Sequence, residues 1–334
     1  MQMSSILTNL SEAAGSIVIL GHVRPDGDCV GSCLAAYNYL REQYPEKNVQ
    51  VYLQTPPVKF AYLKGFDKIS QDISPDLSYD LCICLDASDK ERLGEYACYL
   101  EHASRSICLD HHVTNKGFCE VNEIYADASS TSEVLYGYLE DEKISTTVAE
   151  CLYTGILHDT NVFKNSNTSG KTMTIAGRLM DKGINFGKII DESFYRKTYL
   201  QNQILGRTLL ESVLLLDGKC IFSALRLKDM EFYGVTTADL DGIIDQMRIT
   251  EGVEVAIFLY ELEFKVYKVS MRSSNYVDVA KIASYFGGGG HVRAAGCTMS
   301  GSPYDVVNNL TQHIEAQIKE HEAGPACEQK EPEN

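Results

Sequence analysis

Four short apolar runs constrain this chain most. Residues 16–20, 49–53, 80–85 and 105–109 are rich in β-branched residues or cysteine, and amphipathic stretches such as "VGSCLAAYNYLREQY" lie between them. Short strand-like runs alternating with helical patterns predict parallel βαβ units, hence an α/β fold. Helical patterns follow at about 130–140, 146–158 and 169–182. From 186 to 215 a mixed helix, "DESFYRKTYLQNQILGRTLLESVLLL", leads into the turn signal Asp217-Gly218. Beyond it come strand patterns at 219–227, 253–260 and 264–271 with a helix near 237–247. The tract "GGGG" at 287–290 precedes a last strand and a helix from about 303 to 320. The expected architecture is two domains, 1–188 with a parallel sheet and a smaller α/β domain, 217–321, with a mixed sheet. A helical linker at 189–216 joins them, and the polar, proline-containing tail 322–334 reads as disordered.

Composition narrows the function. The formal net charge of −16 argues against a broad duplex-DNA surface, which needs many phosphate-neutralising cations. It leaves room for a small anionic substrate held by a metal site and a few arginines. No apolar run approaches the length of a membrane span, and the N-terminus lacks the pattern of a secretory signal. The 11 cysteines fall mostly in apolar segments and read as reduced core thiols of a cytoplasmic protein. Cys82 and Cys84 could share one strand face as a metal pair, but no second pair completes a zinc site.

The ends of the apolar runs carry the chemistry. The first enters "GHVRPDGDCVGS", which holds His22, Asp26 and Asp28; the third ends at Asp86; the fourth ends at Asp110, His111 and His112. The first stretch alone reads either as a glycine-rich turn capping the next helix or as a cation site, because ionised carboxylates this close repel. In an open parallel sheet, ligands sit beyond the carboxyl ends of the strands, so all three sets converge on one rim. A fourth element, "CLYTGILHDT", brings in Asp159. So many carboxylates together call for cations. Mostly oxygen donors with two or three imidazoles fit Mn²⁺ best, ahead of Mg²⁺, Fe²⁺ or Co²⁺. The donors suffice for two ions sharing a carboxylate, which points to hydrolysis of a phosphoester or phosphoanhydride.

"HVRPDGD", "LDASDKERLG", "LDHH" and "TGILHDTNVFKNSNTS" resemble, in order, the four motifs of the DHH phosphoesterases. "EGVEVAIFLYE", "KVSMRSS" and "FGGGGHVRAAGC" resemble the DHH-associated C-terminal domain, so the likeness covers all but the extreme termini. The chain is most similar to the stand-alone cytosolic nano-RNases that also dephosphorylate 3′-phosphoadenosine 5′-phosphate (pAp). The resemblance implies that His22 and Asp26 hold one Mn²⁺, that Asp28, His111 and Asp159 hold another, and that Asp86 bridges them. It makes Asp110 the carboxylate that orients an imidazole, and His112 the donor to the scissile phosphate, with Arg24 approaching the same group. Arg272, Ser273, Gly288, Gly289, Gly290, His291 and Arg293 become a clamp on the rest of the nucleotide. Three positions depart from the family pattern: Asp241 where glutamate is expected, and His158 and Asn161 where glycine is frequent.

The implied partners are short single-stranded RNA or small nucleotides, with no duplex DNA and no membrane, for a monomer or homodimer. A phosphodiesterase for cyclic or linear di-adenylate would use the same residues. A manganese pyrophosphatase would lack the glycine-histidine motif. A nucleotide sensor with an inactive site would lack a ligand, whereas all six positions are filled.

Overall fold

A computed structural model describes residues 5–74 and 76–323. It divides into two compact units between Arg196 and Lys197. The first contains α1 (Ser5–Ala13), β1 (Ser16–Leu20), α2 (Gly27–Gln43), β2 (Asn48–Tyr52), β3 (Ile69–Ser70), β4 (Leu81–Leu85), α3 (Ala97–His102), β5 (Arg105–Asp110), β6 (Val121–Ile124), α4 (Thr131–Tyr136), α5 (Thr146–Asp159), α6 (Gly170–Asp181) and α7 (Phe186–Ile190). Its strands form one sheet in the order β3-β2-β1-β4-β5-β6, with every pairing parallel.

Covered faces explain the apolar runs. Ile17 and Ile19 of β1 join the core built with α2, α4 and α5, while Val18 and Leu20 face a second core with Cys82, Cys84, Cys108 and Tyr99. A strand buried on both sides reads as continuous apolar sequence. Cys82 and Cys84 share that face, with sulfurs 3.7 Å apart. The described cysteines are all free thiols. Helices α2 and α5 pack closely because Gly31 faces the backbone of Cys151 and Gly155, where a Cβ would collide. The strand order reverses between β1 and β4, and that reversal opens a crevice at their carboxyl ends.

The second unit contains α8 (Tyr199–Leu210), β7 (Val213–Leu215), β8 (Cys220–Leu225), α9 (Leu227–Tyr233), α10 (Ile243–Arg248), β9 (Val255–Glu263), β10 (Val266–Ser273), α11 (Val279–Tyr285), β11 (Gly289–His291), β12 (Ala294–Ser300) and α12 (Pro303–Glu322). The sheet order is β11-β12-β10-β9-β8-β7. Only β8 and β9 pair in parallel, so the sheet is mixed. Val306, Val307, Leu310, Ile314 and Ile318 of α12 and residues of α11 cover one face. Ile204 of α8, Met230 of α9 and Ile243, Ile244 and Met247 of α10 cover the other.

Local chemistry moves some expected boundaries. The helix expected over 237–247 is a 3₁₀ turn, Thr237–Leu240, then α10, because Asp241 is extended and Gly242 left-handed. The mixed helix over 186–215 is interrupted by a π turn at Asp191–Tyr195 and restarts where Thr198 and Gln201 form a capping box. Strand β6, "VNEI", is only half-buried and shows too little apolar pattern to be legible beforehand. Of the tail 322–334, expected to be disordered, Glu322 still belongs to helix α12 and Ala323 caps it; the remainder, from 324 onward, lies outside the described residues.

Candidate active site

Strand β1 ends directly in the first group. His22 is 3% exposed and Asp28 fully buried. The capping reading of this stretch holds at Asp26. Its Oδ1 caps α2, accepting the N–H groups of Asp28 and Cys29 at 3.1 Å each, and the same oxygen lies 3.7 Å from His22 Nε2. Asp28 is set from the far side. Its two oxygens accept the N–H groups of Thr131 (2.6 Å) and Ser132 (3.0 Å) at the start of α4. Gly155 makes room for this, since a Cβ there would strike the Asp28 carboxylate and Ser132 Oγ.

Asp86, just beyond β4, has a left-handed backbone (φ 58°), an uncommon state for a non-glycine residue that often marks functional positions. Its side chain stands between two imidazoles, Oδ2 being 3.5 Å from His22 Nε2 and Oδ1 3.6 Å from His111 Nε2. Thr131 Oγ1 donates to Asp86 Oδ1 at 3.0 Å. At the end of β5, Asp110 is fully buried. It binds His112 Nδ1 through Oδ1 and Asn115 Nδ2 through Oδ2, both at 2.7 Å. His112 Nδ1 is therefore engaged, and its side chain is 38% exposed.

Asp159 closes the group from the end of α5, with Oδ2 at 3.1 Å from His111 Nε2. Its carbonyl accepts the side chains of Asn165 (3.2 Å) and Asn167 (3.3 Å). The chain then makes a left-handed turn through Asn161, Val162 and Phe163 (φ 50°, 58° and 61°), which explains the glycine preference at 161. His158, the other departure, packs its ring against Gly27 where a Cβ would sit, edge-on to Phe60 and tilted against Phe194. Its Nε2 is buried without a partner. Burial, with Lys59 nearby, depresses it to about 4, so it is a neutral wedge.

The electrostatics describe a site short of positive charge. Burial, then the charges of Asp86 and Asp159, push Asp28 well above the usual carboxylate range. Burial, then Asp86 and Asp26, raise Asp159 to about 8. Burial works against a charged His22, but its bonds to Asp26 and Asp86 outweigh it and lift the group to about 11. The Asp110 bond holds His112 above its ordinary value. Without a cation, these groups relieve repulsion by keeping protons. Donor atoms of Asp28, His111 and Asp159 lie mutually within 4.8 Å, as do those of Asp86, His111 and His112, and those of His22, Cys29 and Asp86. These groups can bind metal. The Cys29 thiol is pushed far up, first by burial, and stays a protonated core group.

In the second unit, Arg272 on β10 and His291 on β11 both pair across the sheet with Ala294 on β12. Directly paired residues share a face, so the two flank the small Ala294 side chain, about 10 Å apart from backbone to backbone. Arg272 Nη1 donates to the Met271 carbonyl (3.1 Å), and its Nε lies 3.7 Å from Asp245. Ser273 is buried and takes the Arg293 carbonyl through its N–H, while Arg293 Nη1 donates to the Val277 carbonyl at 3.0 Å. Gly289 and Gly290 form the start of edge strand β11, and Gly288 and Gly290 lie so close to β12 that a Cβ at either would collide. Asp241 contributes its carbonyl to Lys197 Nζ.

Arg24 is exposed, and its N–H binds Gln54. Thr131, Ser132, Asn115 and Arg92 contact this group of acids and imidazoles and were not singled out in the sequence. Arg92 brings Nη2 to 3.0 Å from His22 Nδ1. It lies in "LDASDKERLG", and an arginine inside a metal-site motif was the available signal.

The chain matches the DHH family, N-terminal domain, over residues 16–156 and the DHHA1 domain over 217–320. It is 27% identical over 314 residues to the Bacillus subtilis protein named bifunctional oligoribonuclease and PAP phosphatase NrnA, covering 92% of this chain and 96% of that one. The Thermus thermophilus protein of the same name is 28% identical over 307 residues, covering 91% and 90%. A crystal structure of an exopolyphosphatase-related protein from Bacteroides fragilis matches with a TM-score of 0.82 at 26% identity, covering 93% of this chain and 94% of that one.

Proposed function

This chain belongs to the DHH family of phosphoesterases, and we propose that it is a manganese-dependent hydrolase that cuts short oligoribonucleotides to mononucleotides and converts pAp to AMP. The observation that carries the metal reading is the Asp86 carboxylate, which turns one oxygen toward His22 and the other toward His111. In this reading His22, Asp26 and Asp86 hold one ion, and Asp28, His111, Asp159 and Asp86 hold a second. An oxygen-rich set with two imidazoles suits Mn²⁺. The substrate class is supported by the names of relatives that align over nearly their whole length.

When bound, such ions polarise the phosphoryl oxygens and lower the pKa of water enough to supply a nucleophile near neutral pH. The protein's own groups do the rest. Asp110 accepts a hydrogen bond from His112 Nδ1–H and so fixes the ring, leaving Nε2 to donate to the scissile phosphate. Arg272 and His291, with Ser273, Arg293 and Gly288 to Gly290 as their frame, hold the remainder of the nucleotide. No helix among the described residues is long and apolar enough to cross a membrane. The free thiols support a reducing cytoplasm as its setting.

The test is an activity panel with Mn²⁺: a dinucleotide, a pentanucleotide, pAp, cyclic and linear di-adenylate, and pyrophosphate. Cleavage of the RNAs and pAp is expected. Asp86→Asn should lose most activity and at least one equivalent of bound metal, because parts of such a unit fail together. Full activity of that variant, or of metal-stripped protein, would end the two-metal reading. A preference for di-adenylate or pyrophosphate would reassign the substrate.

A further inference from the structure

The segment 129–132, "SSTS", holds Asp28, Asp86 and Asp159 at once. The N–H groups of Thr131 and Ser132 bind the two oxygens of Asp28 at 2.6 and 3.0 Å. Thr131 Oγ1 donates to Asp86 at 3.0 Å. The Ser129 carbonyl accepts Asn167 Nδ2 at 2.9 Å, and the same nitrogen reaches the Asp159 carbonyl at 3.3 Å. The whole segment is buried, yet it carries no large apolar side chain to wedge it into the core. Hydrogen bonds therefore decide where it sits.

Glu133 supplies the bonds at its start. This carboxylate is 2% exposed, and the groups that bond it are all donors. Oε2 accepts the Ser129 hydroxyl at 2.7 Å, the Ser129 N–H at 3.3 Å and the Thr172 hydroxyl at 2.7 Å. Oε1 lies 3.1 Å from Lys171 Nζ. The Thr172 oxygen is itself engaged by the Ser169 N–H at 3.2 Å, which leaves its proton for Glu133. Burial works against the charge of Glu133, but the bonds from Thr172, Ser129 and Lys171 outweigh it and hold the carboxyl below its usual range. Lys171 and Thr172 belong to α6, so the carboxylate ties the segment to a helix outside the group of acids.

We propose that Glu133 is a positioning residue for the metal site: its carboxylate bonds none of the proposed ligands, and through Ser129 it sets the segment that aims Asp28, Asp86 and Asp159 at one ion. The inference rests on the metal reading of the site given above, and it concerns the ion assigned to Asp28, His111, Asp159 and Asp86. The position needs a pure acceptor. A glutamine there would turn an N–H₂ group toward the Lys171 ammonium or toward the hydroxyls, leaving donors facing donors in a buried place. Ser129 would then lose its hold, and the acids that depend on the segment would lose their common alignment.

The experiment compares wild type with Glu133→Gln, Ser129→Ala and the double variant, each checked by thermal melting. Manganese affinity is measured by calorimetry, and kcat and KM on pAp are followed across a manganese titration. Removing an outer partner of a metal ligand costs about 10–100-fold in affinity, so Glu133→Gln should bind one manganese equivalent about tenfold more weakly. Its rate should return close to wild type at saturating manganese, with KM unchanged, because the residue acts on the alignment of the ligands and not on the substrate. Ser129→Ala keeps the charge of Glu133 and removes its shorter bond to the segment, so it should weaken the same equivalent. If Glu133 acts through Ser129, the double variant should bind no more weakly than Glu133→Gln alone. Unchanged manganese affinity in Ser129→Ala, or in a folded Glu133→Gln, would overturn the proposal and leave Glu133 as a polar group of the core. Losses that add in the double variant would overturn it as well, since the carboxylate would then act by its charge alone. A wild-type protein that binds no manganese would instead remove the metal reading on which the inference stands.

Discussion

His158 shows how a departure from a family pattern can be absorbed by shape. Its ring fills the space left open by Gly27, the residue between Asp26 and Asp28 in the chain. Phe60 and Phe194 complete the enclosure. The unpartnered Nε2 gives the ring no polar duty. His158→Phe should therefore keep manganese affinity and melt at or slightly above wild type, since a buried orphan nitrogen costs about 1 kcal/mol or more. His158→Ala should lose about 2–4 kcal/mol through the void it opens and weaken manganese binding as the Asp26–Asp28 segment loosens against Asp159. Thermal melts and a manganese titration decide it. A Phe variant far less stable than wild type would mean that the imidazole makes a bond the wedge reading misses. The same lesson applies to Thr131, whose N–H and hydroxyl touch Asp28 and Asp86 from a helix start that looks like an ordinary cap.

Among the elements, strand β12 holds the proposed nucleotide clamp together. Arg272 and His291 come from strands on its two sides, and Ala294 sets them facing one way. The glycine tract contributes by lying flat: Gly288 and Gly290 approach β12 too closely for a side chain. A tract that could have been a flexible linker is instead an edge strand that fixes His291. If this row grips nucleotide and holds no metal, Arg272→Ala should retain full manganese content and lose activity on pAp. Its rate on a small activated phosphodiester, which offers no nucleotide to grip, should fall far less. Equal losses on both substrates would remove the clamp. Ala294→Leu, which places bulk between the two side chains, should mimic the Arg272 variant.

For the whole molecule, charge bears on substrate length. The chain has 30 Lys plus Arg against 46 Asp plus Glu, and proteins that track long single strands use an extended basic groove. The proposed site, metal with a few arginines, would neutralise only about two or three phosphates, so further nucleotides would add repulsion without contacts. RNAs of roughly two to five nucleotides should be cut faster than a 24-mer, with a shallow salt dependence. Measuring kcat/KM along a length series at two salt concentrations checks this; a 24-mer cut as well, with a steep salt slope, would reveal a basic track. Much of the molecule was legible beforehand because βα alternation is a local signal. The runs at 16–20, 80–85 and 105–109 coincide with β1, β4 and β5 to within a residue, and in a parallel sheet that alone carries His22, Asp86 and Asp110 to one rim. Boundaries set by one residue's backbone, such as the break at Gly242, were not legible, because apolar periodicity continues across it. Sequence alone therefore determined the fold class and which acids and imidazoles gather. The tertiary structure alone decided what holds them: Thr131 reaches Asp28 across 103 positions, and Arg92 reaches His22 across 70. Such pairings depend on how helices and loops pack over the sheet, which no spacing along the chain encodes.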